Sequence, residues 1–416
     1  MRADLSTAVS GAAGPTGPGH LPSLYGGLVL GALVLSVALV LGLWLLRRGV
    51  LRRRAAACGY FAATVAGAVV AGTAVAAGPT QPSEAAARPG APLLSPVTLG
   101  GRSVPVTVVP GRPGLNLVGV AADGASAGVR QDRLTAGRVY PGSEQTWVTV
   151  RLPEGRSRLW VSAAGTTATV AVDTGKERAS VPASLSGSDG PECAAAAVGA
   201  LLAGGSRPLQ ECPADRLDPA DAADLRSVVG FLAGRGERAV ALAGDDSARS
   251  VAAAEVVRDA ARRAGLDVTR PGTGRHPLIV VAGWERAAAA VEGVAGGRTT
   301  AQGTYLAPWL LTPPLLSPGA GQIIPLRYVP RGPDATRYLT ALGERLPGEP
   351  PAAAGYRAWR SVGGTHDRSP AKLYAVAVPY VPGSGGQGGG HHHAARTDWL
   401  PDGMIVPVTG PLKEPA

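Results

Sequence analysis

Twenty-three consecutive positions, Leu24 to Leu46, carry no charge. At about 1.5 Å of rise per residue, a helix of that length spans a hydrocarbon core of about 30 Å. Arg47, Arg48, Arg52, Arg53 and Arg54 follow, and a second uncharged run, Ala55 to Ala77, stops at Gly78-Pro79. Two apolar runs around an arginine cluster predict a transmembrane hairpin over 24–77 with its basic turn on the cytoplasmic side. The short N-terminus, 1–23, and everything after Pro79 then face outward. A second reading stays open: Arg52 to Ala77 also has the basic start, apolar centre and Ala74-Val75-Ala76 end of a signal peptide. Both readings export the rest of the chain.

After a Pro/Ala/Ser-rich linker (78–95) the period changes. Over 96–174, short runs recur with turn signals between them: Val104–Val109, Leu115–Ala121, Thr146–Leu152, Arg158–Ala163 and Thr167–Val172. Thr146-Trp147-Val148-Thr149-Val150 alternates with the period of a half-buried strand. Gly111-Arg-Pro-Gly114 and Pro153-Glu154-Gly155 supply turns. Short strands at this spacing predict a small β-sandwich, with Trp147 and Trp160 as core or edge anchors. Residues 175–212 form an Ala/Gly/Ser-rich connection with a short helix over Cys193–Ala203.

From 213 the pattern becomes α/β. Asp218 is placed to cap a helix over Pro219–Ala233. Arg238–Ala243 is a buried-strand run, Gly244–Ser247 a turn, and Ala248–Ala264 a helix ended by Gly265. Strand runs follow at Leu266–Val268, Pro277–Ala282 and Thr304–Ala307, with a helix over Trp284–Val294. Strands alternating with helices of this length predict a parallel sheet. In the tail, Lys372–Tyr380 and Gly403–Thr409 read as a hairpin around a Gly-rich loop, 383–393.

Two resemblances attach to these segments. Val106–Val109, Pro110-Gly-Arg-Pro-Gly114 and Leu115-Asn116 resemble the strand, Pro, turn, Gly-x-Asn opening of immunoglobulin-like domains that accompany copper-resistance membrane proteins. The domain has no Met and no His, so no copper site is carried onto it. Glu237–Ser250, Arg262–Val268, Leu278–Trp284, Tyr305–Leu311 and Gly355–Arg360 resemble a lobe of type I periplasmic solute-binding proteins, the branched-chain amino-acid receptors of ABC transporters. Such receptors clamp ligand between two lobes, and no complete first α/β lobe precedes 213. The resemblance implies one lobe over 213–382, with half a cleft.

Composition and chemistry complete the picture. All but three of the 40 Lys and Arg residues are arginine, and the net charge is +10. Outside 47–54 the arginines are scattered and not interleaved with aromatics, which argues against a nucleic-acid partner. Aromatics make up only 4% of the 416 residues, so Ala, Val and Leu must supply most of the core. Cys193 and Cys212 both lie in the exported part, where an oxidising compartment favours a disulfide. Cys58 lies within the second apolar run.

His391-His392-His393 is a metal-like cluster suited to copper or another divalent transition metal; a polar low-complexity loop is the alternative. His366, Asp367 and Met404 join it only if the fold brings them near. Asp245-Asp246-Ser247 follows a strand, where α/β folds place ligands, and is equally a helix N-cap. Gly124-Ala-Ser126-Ala-Gly128 matches a nucleophile-elbow pattern but sits between β-like runs, without the strand-to-helix turn such an elbow needs.

The expectation is therefore a multi-domain chain: a transmembrane hairpin, a β-sandwich, a single α/β lobe, and a Gly/His-rich loop with a C-terminal strand (383–416). Its expected role is non-catalytic. It binds or senses outside the cell membrane, with a copper link through the histidines. The alternatives are an accessory partner of a membrane complex and a degenerate solute-binding protein.

Overall fold

The computed structural model describes residues 89–178, 182–205, 209–317, 320–365, 369–377, 398–400 and 403–413. All belong to one compact unit, Glu84–Ala416. The expected hairpin over 24–77, Cys58, His366, Asp367 and His391–His393 lie outside the described residues. Among those described, no helix is long and apolar enough to cross a membrane.

Residues 93–173 fold into two antiparallel sheets. The first runs β1 (Leu93–Leu99), β2 (Arg102–Val109), β3 (Gly114–Val120), β7 (Thr146–Leu152), β6 (Arg138–Val139). The second runs β5 (Thr135–Ala136), β4 (Ser126–Gly128), β8 (Arg156–Ala163), β9 (Thr166–Asp173). Alternation decides which side faces in. Val106, Val118 and Val148 from the first sheet meet Leu159, Val161 and Val170 from the second in one buried core, as a sandwich requires. Ser126 opens β4 opposite Ser162, and the chain continues as strand and not as helix, so the Gly-x-Ser-x-Gly segment is no elbow.

The Pro-turn-Asn segment is knitted by one side chain. Asn116 is fully buried; its Oδ1 accepts from Gly111 N at 2.8 Å, and its Nδ2 donates to the carbonyls of Arg112 (2.7 Å) and Gly114 (3.0 Å). A buried amide must find such partners, and here they fold the turn.

Beyond the sandwich, α1 (Gly190–Leu202), α2 (Pro219–Gly234), α3 (Ala248–Ala264), α4 (Trp284–Ala295), α5 (Pro333–Arg345) and α6 (Ala353–Val362) surround a seven-stranded sheet. Its order is β11 (Asp267–Thr269), β10 (Ala239–Ala243), β12 (Leu278–Val280), β13 (Thr304–Leu306), β14 (Gln322–Leu326), β15 (Lys372–Ala377), β16 (Met404–Pro407). The first five are parallel and the last two antiparallel, so the expected parallel sheet is mixed. After α5 and α6 the chain returns as β15 antiparallel to β14, and β16 pairs antiparallel with β15 at the edge.

Local signals set several boundaries. The Asp218 carboxylate accepts from Ala220 N and opens α2, Ser247 Oγ accepts from Ser250 N and opens α3, and Gly265 closes α3 at φ +71. The scarce aromatics are concentrated: Trp284, Trp309, Trp399, Tyr338 and Tyr356 are fully buried in this part of the chain. Tyr356 stands edge-on to Trp399 at 5.9 Å, a favourable quadrupole arrangement. Gly199 and Gly355 let α1 and α6 meet backbone to backbone; a Cβ on Gly199 would lie 1.9 Å from the Gly355 carbonyl oxygen.

Candidate functional site

Numbered in order along the chain, the five parallel strands stand 2-1-3-4-5, so the connections leave the sheet in opposite directions after β10 and β12. In open α/β sheets the crevice at that switch, outside the carboxyl ends of the strands, is where ligands bind. The β10 connection carries Asp245-Asp246-Ser247, and the β12 connection carries Gly283 at the N-terminus of α4.

Asp245 is committed to the backbone around it. Its Oδ1 accepts from Ser247 N (3.0 Å) and Ser247 Oγ (2.6 Å), and its Oδ2 accepts from Gly283 N (2.6 Å). Burial alone would raise this carboxyl, but the hydrogen bonds from Ser247 and Gly283 outweigh it and hold the group below the usual range. Asp246 is exposed.

A second carboxylate reaches the same place from far away in sequence. Asp189, just before α1, accepts from Trp284 N at 3.0 Å. Its oxygens crowd Gly283, where a Cβ would lie 2.4 Å from Oδ1. Asp189 and Asp245 together take the first free amides of α4, the groups that favour an anion at a helix N-terminus. Burial raises the Asp189 carboxyl, with the Arg249 charge and the Trp284 amide pulling it back. Beneath it, Arg249 forms a bidentate pair with Glu192, at 2.6 and 2.7 Å. Their side chains are 3% and 0% exposed. The guanidinium also lies 4.6 Å from the centre of the Trp309 ring.

The sandwich closes the crevice from above. Gly142, in the connection between β6 and β7, lies on Trp284; at φ +91, a Cβ there would come 2.2 Å from the indole. Thr312 Oγ1 donates to the Gly142 carbonyl at 3.2 Å. Next to it, Ser143 Oγ donates to Glu349 Oε1 (3.0 Å) and accepts from Trp147 Nε1 (2.8 Å) and Gln145 N (3.2 Å). That uses the full capacity of one hydroxyl.

Burial pushes the Glu349 carboxyl up to about 7, against hydrogen bonds from Ser143, Gln145 and the Glu144 backbone. The folded form therefore holds a proton that the unfolded form releases above the ordinary glutamate range. Stability from this group is complete at low pH and falls as pH rises toward 7. Glu349→Gln removes that slope. In urea titrations the variant should gain about 2 kcal/mol on the parent between pH 5 and pH 8, after discounting for partial exposure. Parallel pH curves for the two proteins would show the carboxyl to be hydrated.

Sequence reasoning singled out Asp245, Asp246 and Ser247, and the structure places Asp245 and Ser247 in the switch-point loop. It did not find Asp189, Glu192, Arg249, Gly142 or Glu349. The Asp189-Gly-Pro-Glu192 spacing was a signal of sorts, since it matches a capping box. Asp189 makes no side-chain cap to its own helix; both carboxylates point to distant partners instead. Cys193 and Cys212 form a disulfide with their Cα atoms 5.0 Å apart. Met404 starts β16, and among the described residues no three His, Cys, Asp or Glu side chains gather as a metal site.

No family model and no curated protein matches this chain. Two solved structures show a weak likeness. A fatty acid ABC transporter substrate-binding protein from Thermomonospora curvata is 14% identical, over 47% of this chain and 63% of that one, with a TM-score of 0.31. An ABC transporter substrate-binding protein from Desulfitobacterium hafniense, in complex with Leu, is 15% identical over 34% and 47%, with a TM-score of 0.25. The chain spans less than two thirds of either. No comparison carries the expected likeness of 96–174 to copper-resistance membrane proteins. Both names are those of ABC transporter substrate-binding proteins.

Proposed function

We propose that this chain is a non-catalytic, extracytoplasmic binding protein, anchored by the apolar hairpin at 24–77, whose partner or ligand engages it away from the switch-point crevice. The observation that carries this is the covered crevice. Asp189 and Asp245 take the amides an anionic ligand would use, and Gly142 lies on Trp284. A receptor that closes two lobes on a solute keeps that edge free, and here the chain covers it with its own residues. Supporting export, the Cys193–Cys212 bridge suits an oxidising compartment. The sequence adds a metal arm to the same reading, His391–His393, with copper or another divalent transition metal as its ligand.

Fusing alkaline phosphatase or a fluorescent protein to the C-terminus of the full chain tests the placement. Phosphatase activity without fluorescence is the expected result, and the reverse pattern would overturn export. Titrating the purified full chain with Cu(II) tests the metal arm, which predicts tight uptake that His391–His393→Ala abolishes.

A further inference from the structure

A second concavity lies on the sheet face under the last turn of α2, toward the N-terminal ends of β10 and β13 and away from the covered crevice. Its volume is about 260 Å³. Phe231, Tyr305 and Leu373 are among its apolar and aromatic lining, and Arg235, Glu237 and Gln302 supply polar groups. Phe231 lies in the last turn of α2 and Arg235 caps its C-terminus, while Tyr305 belongs to β13.

Three features define what would fit. First, the polar groups are open to a ligand: within the described residues, the side chains of Arg235 and Gln302, both exposed, that of Glu237, half-buried, and the Tyr305 hydroxyl make no hydrogen bond or ion pair. The Arg235 guanidinium only lies over the Phe231 ring, at 5.7 Å from its centre. Second, the charges cancel. One arginine and one glutamate line the concavity, so a cation or an anion entering here meets its own sign as well as its opposite. Third, donors and acceptors are mixed. Arginine only donates, glutamate only accepts, and the amide and phenol do both. A ligand whose every polar group both donates and accepts satisfies such a set, and polarised C–H edges suit the faces of aromatic walls.

We propose that this concavity binds a neutral polyhydroxylated ring, a monosaccharide or cyclitol, with its C–H face on Phe231 and Tyr305 and its hydroxyls on Arg235, Glu237 and Gln302. This deepens the reading of the chain as a binding protein, and it stands whether or not the C-terminus proves to be exported.

The test is a calorimetric titration of the purified full chain with neutral aldohexoses and myo-inositol, with glucuronate and glucosamine as charged controls. At least one neutral ring should bind with a Kd of about 1 mM or below, and both controls at least about tenfold more weakly. Arg235→Ala and Glu237→Gln should each weaken binding about tenfold or more without moving the melting temperature, because each leaves a ligand hydroxyl unpaired. Three outcomes overturn the proposal: no saturable binding of any neutral ring up to about 100 mM, tighter binding of a charged control, or affinity unchanged in both variants. Each leaves the reporter-fusion result for export untouched, so the two failures are distinguishable.

Discussion

Arg249→Met lowers the stability of the folded chain by about 3–5 kcal/mol, because Glu192 is left charged and buried without a counter-ion. Burial already pushes the Glu192 carboxyl up, and only the Arg249 charge and its two hydrogen bonds oppose it. Nothing else described sits within hydrogen-bond reach to replace them. Replacing both partners, Arg249→Met with Glu192→Leu, should recover most of the loss, since the desolvation cost of both charges disappears with them. Urea denaturation of the single and double variants measures this. A single variant within about 1 kcal/mol of the parent would mean that water reaches Glu192.

The next largest effect belongs to the disulfide. Cys193→Ala with Cys212→Ala should cost about 3 kcal/mol, from the added freedom of a loop closed over 19 positions in the unfolded chain. Cys193 and Cys212 sit in the same buried cluster as Val109, Leu117 and Trp147 of the sandwich and Leu185 before α1. Loss of the bridge therefore loosens the junction between the sandwich and the helices. Thermal unfolding with and without reductant measures the cost. Alkylation followed by mass measurement checks the bond: the native protein should leave both cysteines unlabelled until it is unfolded and reduced. Labelling of both under native conditions would show the pair to be free thiols.

What could be read from the sequence was whatever neighbouring residues decide among themselves. Ser247 and Gly265 bracket α3 because a hydroxyl and a glycine act within a turn of their own position. The alternation of 146–152 gives β7 for the same reason: period 2 is a local property. The 372–409 hairpin was visible in outline, because two alternating runs flank a Gly-rich stretch.

The crevice was not legible, because its contacts join residues separated by 38 to 206 positions. A lone Asp189 or Glu349 carries no mark of the partner it will meet. Glu192, in the first turn of α1, turns toward Arg249 and away from its own helix, a choice that tertiary packing makes. The concentration of aromatics in the lobe was hidden too. A count of 4% fixes how many rings exist and says nothing of their gathering.

The contacts of Gly142 and Ser143 also have a mechanical consequence. One connection of the sandwich is held by Thr312 and Glu349, which belong to two different loops of the lobe. Two anchor points on separate loops resist twisting as well as pulling, so a load applied at the sandwich reaches the carboxyl ends of the strands with little slack. A partner that grips the sandwich would then drag the whole head as a rigid lever, and would leave the angle between its two parts unchanged.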